Sequence, residues 1–263
     1  MMPPVLLQSP DNKLRAAAIA SELLQQDFDI LCLEKSFDGG ARDVMVKQLA
    51  ARYPYRYGPA NDSFSLEPNS GVWVLSRLPL SDYHQIQFRD AAGIERLSRK
   101  GALLLKGTFR GHRFQILATH LQGEEGPSYT EAHQKIRDEQ MQQIRDELLA
   151  PHADPALPLF LCGDFDTPRE VPAAYNFMLD TFDRPENGVA HRITLDDNCA
   201  HNDLARFDSG RAQELDYVLV RPNGSAVKVE WARLIMVDPG WDGRTNRRNL
   251  SYKYAVAAAI EFQ

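Results

Sequence analysis

The chain of 263 residues holds three cysteines, Cys32, Cys162 and Cys199. So odd and sparse a set builds no disulfide framework and points to a reducing, cytoplasmic setting. Cys32 and Cys162 stand inside apolar runs and read as buried thiols. Long hydrophobic runs are missing too: the longest, residues 254–260, is far below the roughly 20 residues of a membrane span. The first residues place no charged segment ahead of an apolar stretch, so no secretory leader is expected. There is no basic surplus, with 30 Lys and Arg against 36 Asp and Glu and a net charge of −6. That balance argues against long nucleic acid as a partner, which selects for a basic groove. Repeats, low-complexity tracts and any linker long enough to separate domains are also lacking, so residues 1–263 read as one domain.

What is present is ordinary globular composition, 43% hydrophobic and 25% charged, enough for a substantial core. Ala16, Ile19, Ala20, Leu23 and Leu24 follow helical spacing behind Asp11 and Asn12 as caps, and Ala41, Val44, Met45 and Leu49 mark a second helix. Between them, residues 29–34 form an apolar run ending on a carboxylate, a buried strand. Strands are expected at 53–57, 71–75, 102–109 and 113–119, the last two joined through Arg110, Gly111 and His112 as a hairpin turn. Ile136, Gln140, Ile144 and Leu148 share one stripe of a helix over about 131–149. Further strands are expected at 158–162, 214–220, 227–237 and 254–262. Pro222, Asn223, Gly224 and Ser225 read as a hairpin turn. Hairpin and crossover connections together predict an α/β sandwich.

Glu34, Asp164 with Asp166, and Asp216 stand at strand tips. A carboxylate there is costly to bury without a partner, so several converging point to a cation or a solvated cleft. Oxygen donors without paired-cysteine or paired-histidine spacing favour Mg²⁺, Mn²⁺ or Ca²⁺ over zinc. Taken singly, each carboxylate reads better as a solvated strand end or a cap, Asp166 in particular as a helix cap. His120 ends a strand, where a single histidine is more often a satisfied surface group than a catalyst. Arg244, Arg247 and Arg248 form a basic loop that attracts phosphate or is simply solvated. Tyr53, Tyr55, Tyr57, Phe64 and Trp73 suit cross-strand packing better than base stacking.

Read in order, the pieces form a series. It runs Cys-Leu-Glu-Lys-Ser-Phe-Asp (32–38), Tyr-Pro-Tyr (53–55), Ser-Gly-Val-Trp-Val-Leu-Ser-Arg-Leu-Pro-Leu (70–80) and Ser-Arg-Lys-Gly-Ala (98–102). Ala-Thr-His-Leu-Gln (118–122), Arg-Asp-Glu-Gln-Met-Gln-Gln-Ile (137–144), Gly-Asp-Phe-Asp (163–166) and Glu-Leu-Asp-Tyr-Val-Leu (214–219) complete it. This series resembles the endonuclease/exonuclease/phosphatase superfamily, most closely its neutral sphingomyelinase-like branch, from about Leu14 to the C-terminus. The resemblance implies a four-layer α/β/β/α sandwich, two mixed β-sheets face to face with helices outside, and divalent-metal-dependent phosphoester hydrolysis. By position, Glu34 resembles the principal metal-ligating glutamate, with Asp164 and Asp166 beside it for one ion, Mg²⁺ or else Mn²⁺ or Ca²⁺. Asp164 resembles the aspartate that positions the attacking water. His120 resembles the histidine that stabilises charge on the phosphate, and Asp216 the aspartate that orients the general base.

The series also departs from the family pattern. Where the family has Ser-Asp-His before its last strand, this chain has Ser251, Tyr252 and Lys253. Position 166 is aspartate in place of asparagine, and the family's N-terminal asparagine has only Ser9 or Asn12 as counterpart. A lysine beside a carboxylate keeps its proton, so Lys253 is expected to pair with Asp216 and to make a poor base. Two functions follow. One is a phosphodiester hydrolase with an altered acid–base pair, acting on a phosphate-containing small molecule or lipid head group. The alternative is an inactive relative that binds a phosphate ligand or a protein partner.

Overall fold

The structure, a computed structural model, describes residues 10–61, 69–126, 128–186, 195–196, 202, 204, 212–241 and 247–263. Phe64, Cys199, Arg244 and Ser9 lie outside them. After α1 (Pro10–Gln25) come β1 (Ile30–Leu33), α2 (Gly39–Leu49), β2 (Tyr55–Tyr57), β3 (Trp73–Ser76) and β4 (Leu80–Gln87). Next are β5 (Gly101–Phe109), β6 (His112–His120), α3 (Glu131–Gln143), the short α4 (Ala150–His152), β7 (Leu159–Asp164) and α5 (Pro172–Thr181). The chain closes with β8 (Leu195–Asp196), β9 (Ala212–Gln213), β10 (Asp216–Arg221), β11 (Val227–Leu234) and β12 (Ala255–Phe262).

Strand alternation produces the layers, because successive side chains leave a strand on opposite faces. Ile30 and Cys32 of β1 point into one apolar cluster with Val74, Leu103, Leu105, Ile116, Ala118 and Phe160. Their neighbours Leu31 and Leu33 point the other way, onto Ala16, Ala20 and Leu23 of α1 and Met45 and Leu49 of α2. Leu104, Leu117, Leu161 and Leu219 likewise turn from the first cluster to meet Met141, Ile144, Leu148 and Met178 of the helices beyond. The result is the expected sandwich. A five-stranded sheet in the order β10-β7-β6-β5-β4 faces a three-stranded sheet, β1-β3-β2, and the β11-β12 pair, with helices on both outer faces.

Several elements differ from expectation. The Asn223-Gly224 turn forms, with Ser225 N–H donating to Pro222 O at 3.0 Å and both central residues at positive φ. It does not close a hairpin: β10 pairs with β7 and β11 with β12, so the turn carries the chain between sheets. The expected helix over 131–149 is α-helical to Gln143 and then widens into a π turn, Ile144–Leu149. Its buried face runs through Gln134, Arg137, Gln140, Met141 and Ile144, leaving Ile136 half-buried. Strand β4 was not anticipated. It is an edge strand with mostly exposed side chains and a bulge between Ser81 and His84, so it lacks an apolar stripe.

Candidate functional site

Register assembles the centre of the site. In the parallel β6–β7 pair His120 faces Asp164, and in the antiparallel β7–β10 pair Asp164 faces Asp216. The three therefore occupy one rung on neighbouring strands and share the face that carries Ala118, Phe160 and Val220 into the space between the sheets. Glu34 follows β1 with the parity of Ile30 and Cys32, so it reaches the same space from the opposite sheet. The β7 strand ends there, and Asp166 turns back with φ 45°. Its N–H donates to Asp164 Oδ1 at 3.2 Å. All five residues singled out in the sequence thus lie at one end of the sandwich.

Lysines dominate their surroundings. Lys253 Nζ lies 2.5 Å from Asp164 Oδ1, 3.3 Å from Asp166 Oδ1 and 3.5 Å from Asp216 Oδ2. The pair with Asp216 exists, but Asp164 holds the ammonium more closely. Lys35, in a left-handed conformation with φ 57°, donates to Asp164 Oδ2 at 2.8 Å and lies 4.9 Å from the centroid of the Tyr252 ring. Behind them Lys100 places its three protons on His120 Nε2 (2.9 Å), Leu121 O (2.7 Å) and Glu95 Oε1 (2.7 Å). An ammonium has no acceptor, so His120 Nε2 accepts and its proton sits on Nδ1. That Nδ1 is buried with no hydrogen-bond partner among the described residues.

Charge follows from this geometry. Burial would raise the Asp164 carboxyl, but Lys253 and Lys35 hold it well below its ordinary value. Burial works against the charge of Lys253, and the Asp164, Asp166 and Asp216 carboxylates overcome it, leaving the lysine more basic than usual. Burial, then Asp216, Cys32 and Asp164, push Glu34 well above the usual carboxylate range. Asp166 is raised by burial and by Asp164. Burial and the Lys100 charge depress His120 far below its ordinary value, so it is neutral.

The loop after β6 is clamped from the helical layer. The fully buried Arg137 donates to Gln122 O at 3.1 Å and Gln134 Oε1 at 3.0 Å, and pairs with Glu124 at 2.9 Å. Gln140 Oε1 accepts from Gln122 N–H, and Glu95 Oε2 accepts from Gly123 N–H. Gly123 packs closely beside the site: a Cβ there would lie 3.1 Å from Asp166 Oδ2 and 3.2 Å from Glu95 Oε1, so either side chain would have to shift by a few tenths of an ångström. Reasoning from sequence gave Lys35, Lys100, Glu95 and Arg137 no role. Lys35 and Lys100 sit inside quoted motifs next to Glu34 and Gly101, and Arg137 opens another; Glu95 had no local signal. Asn12, a candidate for the N-terminal asparagine, donates to Asp38 Oδ2 at 3.1 Å, the residue that caps α2.

His120, Asp164 and Asp166 bring ligand atoms within 4.8 Å of one another, a cluster of the kind that holds a metal ion. Here the lysines take those atoms: both Asp164 oxygens face ammonium groups, and His120 Nε2 receives Lys100. A divalent ion among them would meet three positive charges at short range. The set as arranged does not fit one.

The sequence profile of the Endonuclease/Exonuclease/phosphatase family matches residues 6–236. A sphingomyelinase C of Listeria ivanovii is 24% identical over 255 residues, which is 91% of this chain and 76% of that one. A phospholipase C of Staphylococcus aureus is 23% identical over 232 residues, 83% and 70% of the two chains. The crystal structure of a beta toxin variant from Staphylococcus aureus with bound magnesium ions superposes with a TM-score of 0.80 at 21% identity, covering 98% of this chain and 95% of that one.

Proposed function

The chain belongs to the Endonuclease/Exonuclease/phosphatase family, and from that premise we propose that it hydrolyses a phosphodiester, either a phospholipid head group or a small diester. The likeness to a sphingomyelinase C and a phospholipase C supports this substrate class. The observation that carries the reading is the rung His120–Asp164–Asp216, whose histidine keeps a buried Nδ1–H without a partner among the described residues. A buried donor left unpaired costs about 1–3 kcal/mol, and a phosphate oxygen is an acceptor that would pair it.

In this reading Lys253 and Lys35 face the negative charge that grows on the phosphoryl oxygens. Glu34, whose proton affinity burial and its acidic neighbours raise, takes in its ionised form the proton of the attacking water as the new P–O bond forms; the P–O bond to the leaving group breaks, and that oxygen leaves as the alcohol with a proton from solvent. Asp164 fixes both lysines. The oxygen donors Glu34, Asp164 and Asp166 are those of a Mg²⁺, Mn²⁺ or Ca²⁺ site; the ammoniums beside them are not, and no step here uses an ion. Free Cys32 and Cys162 support a reducing, cytoplasmic setting within the same proposal. The test is hydrolysis of a chromogenic phosphodiester and of phosphocholine-lipid vesicles. Glu34→Ala should lower the rate by about 10²–10⁴-fold, the usual worth of a general base. A wild-type rate equal to that of Glu34→Ala on every substrate removes the proposal.

Lys253 favours a second reading, a phosphate- or protein-binding module. Three carboxylates hold it protonated, so it cannot act as a base at neutral pH. The double variant Tyr252→Asp with Lys253→His separates the readings. Turnover rising by orders of magnitude supports a hydrolase lacking only its acid–base pair. A folded, inactive double variant supports the module.

A further inference from the structure

The two oxygens of Asp164 are each held by a different lysine. Lys35 comes from the turn after β1, and Lys253 from the segment before β12. Neither contact is a surface accident. The Asp164 side chain is 2% exposed and that of Lys253 10%. Lys253 also spans to Asp166 and Asp216, and Lys35 is backed by the Tyr252 ring. One compact positive charge bridging several carboxylates at a strand end is the service a bound cation performs. Here two side chains perform it.

We propose that Lys35 and Lys253 are the protein's own replacement for a divalent cation: the Asp164–Asp166 centre takes up no divalent ion and offers phosphate two tethered ammonium groups instead. The inference deepens the phosphodiester reading and rests on it for the ligand class. An ion entering the site would have to displace two ammoniums from a buried carboxylate while remaining beside them. A phosphate oxygen can share the Lys35 ammonium, one of whose three donors goes to Asp164, and competes with Asp164, Asp166 and Asp216 for those of Lys253.

The experiment uses the full chain freed of metal with a chelator and follows its melting curve, since any ligand of the native state raises the melting temperature by mass action. Millimolar Mg²⁺, Mn²⁺ and Ca²⁺ should leave the wild-type curve unmoved. Inorganic phosphate should raise it with chelator present. Lys35→Met and Lys253→Met should each weaken phosphate binding by about 10-fold or more, the worth of a charged hydrogen bond. The double variant Lys35→Val with Lys253→His should gain a saturable shift with Mg²⁺ or Mn²⁺. A saturable ion shift in the wild type, or phosphate stabilisation that appears only with a divalent ion, overturns the proposal. If the variants do not fold, the wild-type titrations decide it alone. None of these readings needs turnover, so loss of the hydrolase reading leaves the ion result standing and the two failures stay distinct.

Discussion

Three aspartates compete for the Lys253 ammonium, and the shortest contact, 2.5 Å, goes to the most buried of them, Asp164. Removing one partner of such a pair leaves the other charged and buried, at a cost of about 3–5 kcal/mol. Lys253→Met and Asp164→Asn should therefore each destabilise strongly in urea. Together they should cost less than the sum by about 1–3 kcal/mol. An additive pair would mean that the lysine is not held by Asp164. His120 gives a pH signature. Its folded value lies well below 6.5, so below about pH 6.5 the unfolded chain takes up a proton that the folded chain refuses. Its contribution is complete above that pH and is lost as pH falls toward the folded value. His120→Asn should flatten this stretch of the stability–pH curve. Glu34, His120, Asp164, Asp166 and Asp216 stood out in the sequence as polar groups at or beside the tips of apolar runs, and the family resemblance gave them their roles. Lys35 and Lys100 did not, because their meaning depends on partners 129 and 20 residues away.

At the scale of elements, the loop from Leu121 to Gly126 depends on α3. Arg137 is fully buried and ties Gln122, Gln134 and Glu124 together. Arg137→Met leaves Glu124 its His133 and Thr130 partners but strips the buried Gln122 carbonyl of its donor, so it should cost about 1–3 kcal/mol and should speed amide exchange in residues 122–126 beyond what global unfolding explains. Unchanged local exchange would show that the loop holds itself. Two glycines offer a contrast. Gly224 has φ 79° with open space around it, so Gly224→Ala meets only the backbone cost of a left-handed residue, about 1–2 kcal/mol. At Gly163 a Cβ would lie 2.0 Å from Thr119 O, forcing β6 from β7 beside the site. Gly163→Ala should cost clearly more in denaturant and should disturb His120. The Asn-Gly signal predicted the turn correctly, because turn chemistry is local. Which strand each arm joins is decided by distant partners, which is why a hairpin was expected where the chain changes sheets.

For the molecule as a whole, the sandwich was readable from its mixture of hairpin and crossover connections and its four layers from the family resemblance, and a chain of net charge −6 carries a site built around lysines. Such a net charge repels anionic membranes over about 10 Å at ordinary salt. Hydrolysis at vesicles should therefore be faster on zwitterionic than on anionic lipid at low ionic strength, and added salt should narrow the gap. A rate favouring anionic vesicles would point to a basic docking face.

The rung across β6, β7 and β10 works as a ruler. Adjacent strands stand about 4.8 Å apart, so His120, Asp164 and Asp216 are spaced by backbone hydrogen bonds and not by their own chemistry. Lys35 and Lys253 are attached outside that frame, on a turn and on the segment before a strand. Mutation can exchange them without disturbing a single ladder bond. The scaffold thus separates what must stay fixed from what is free to vary, and the charge carrier of the site falls on the free side.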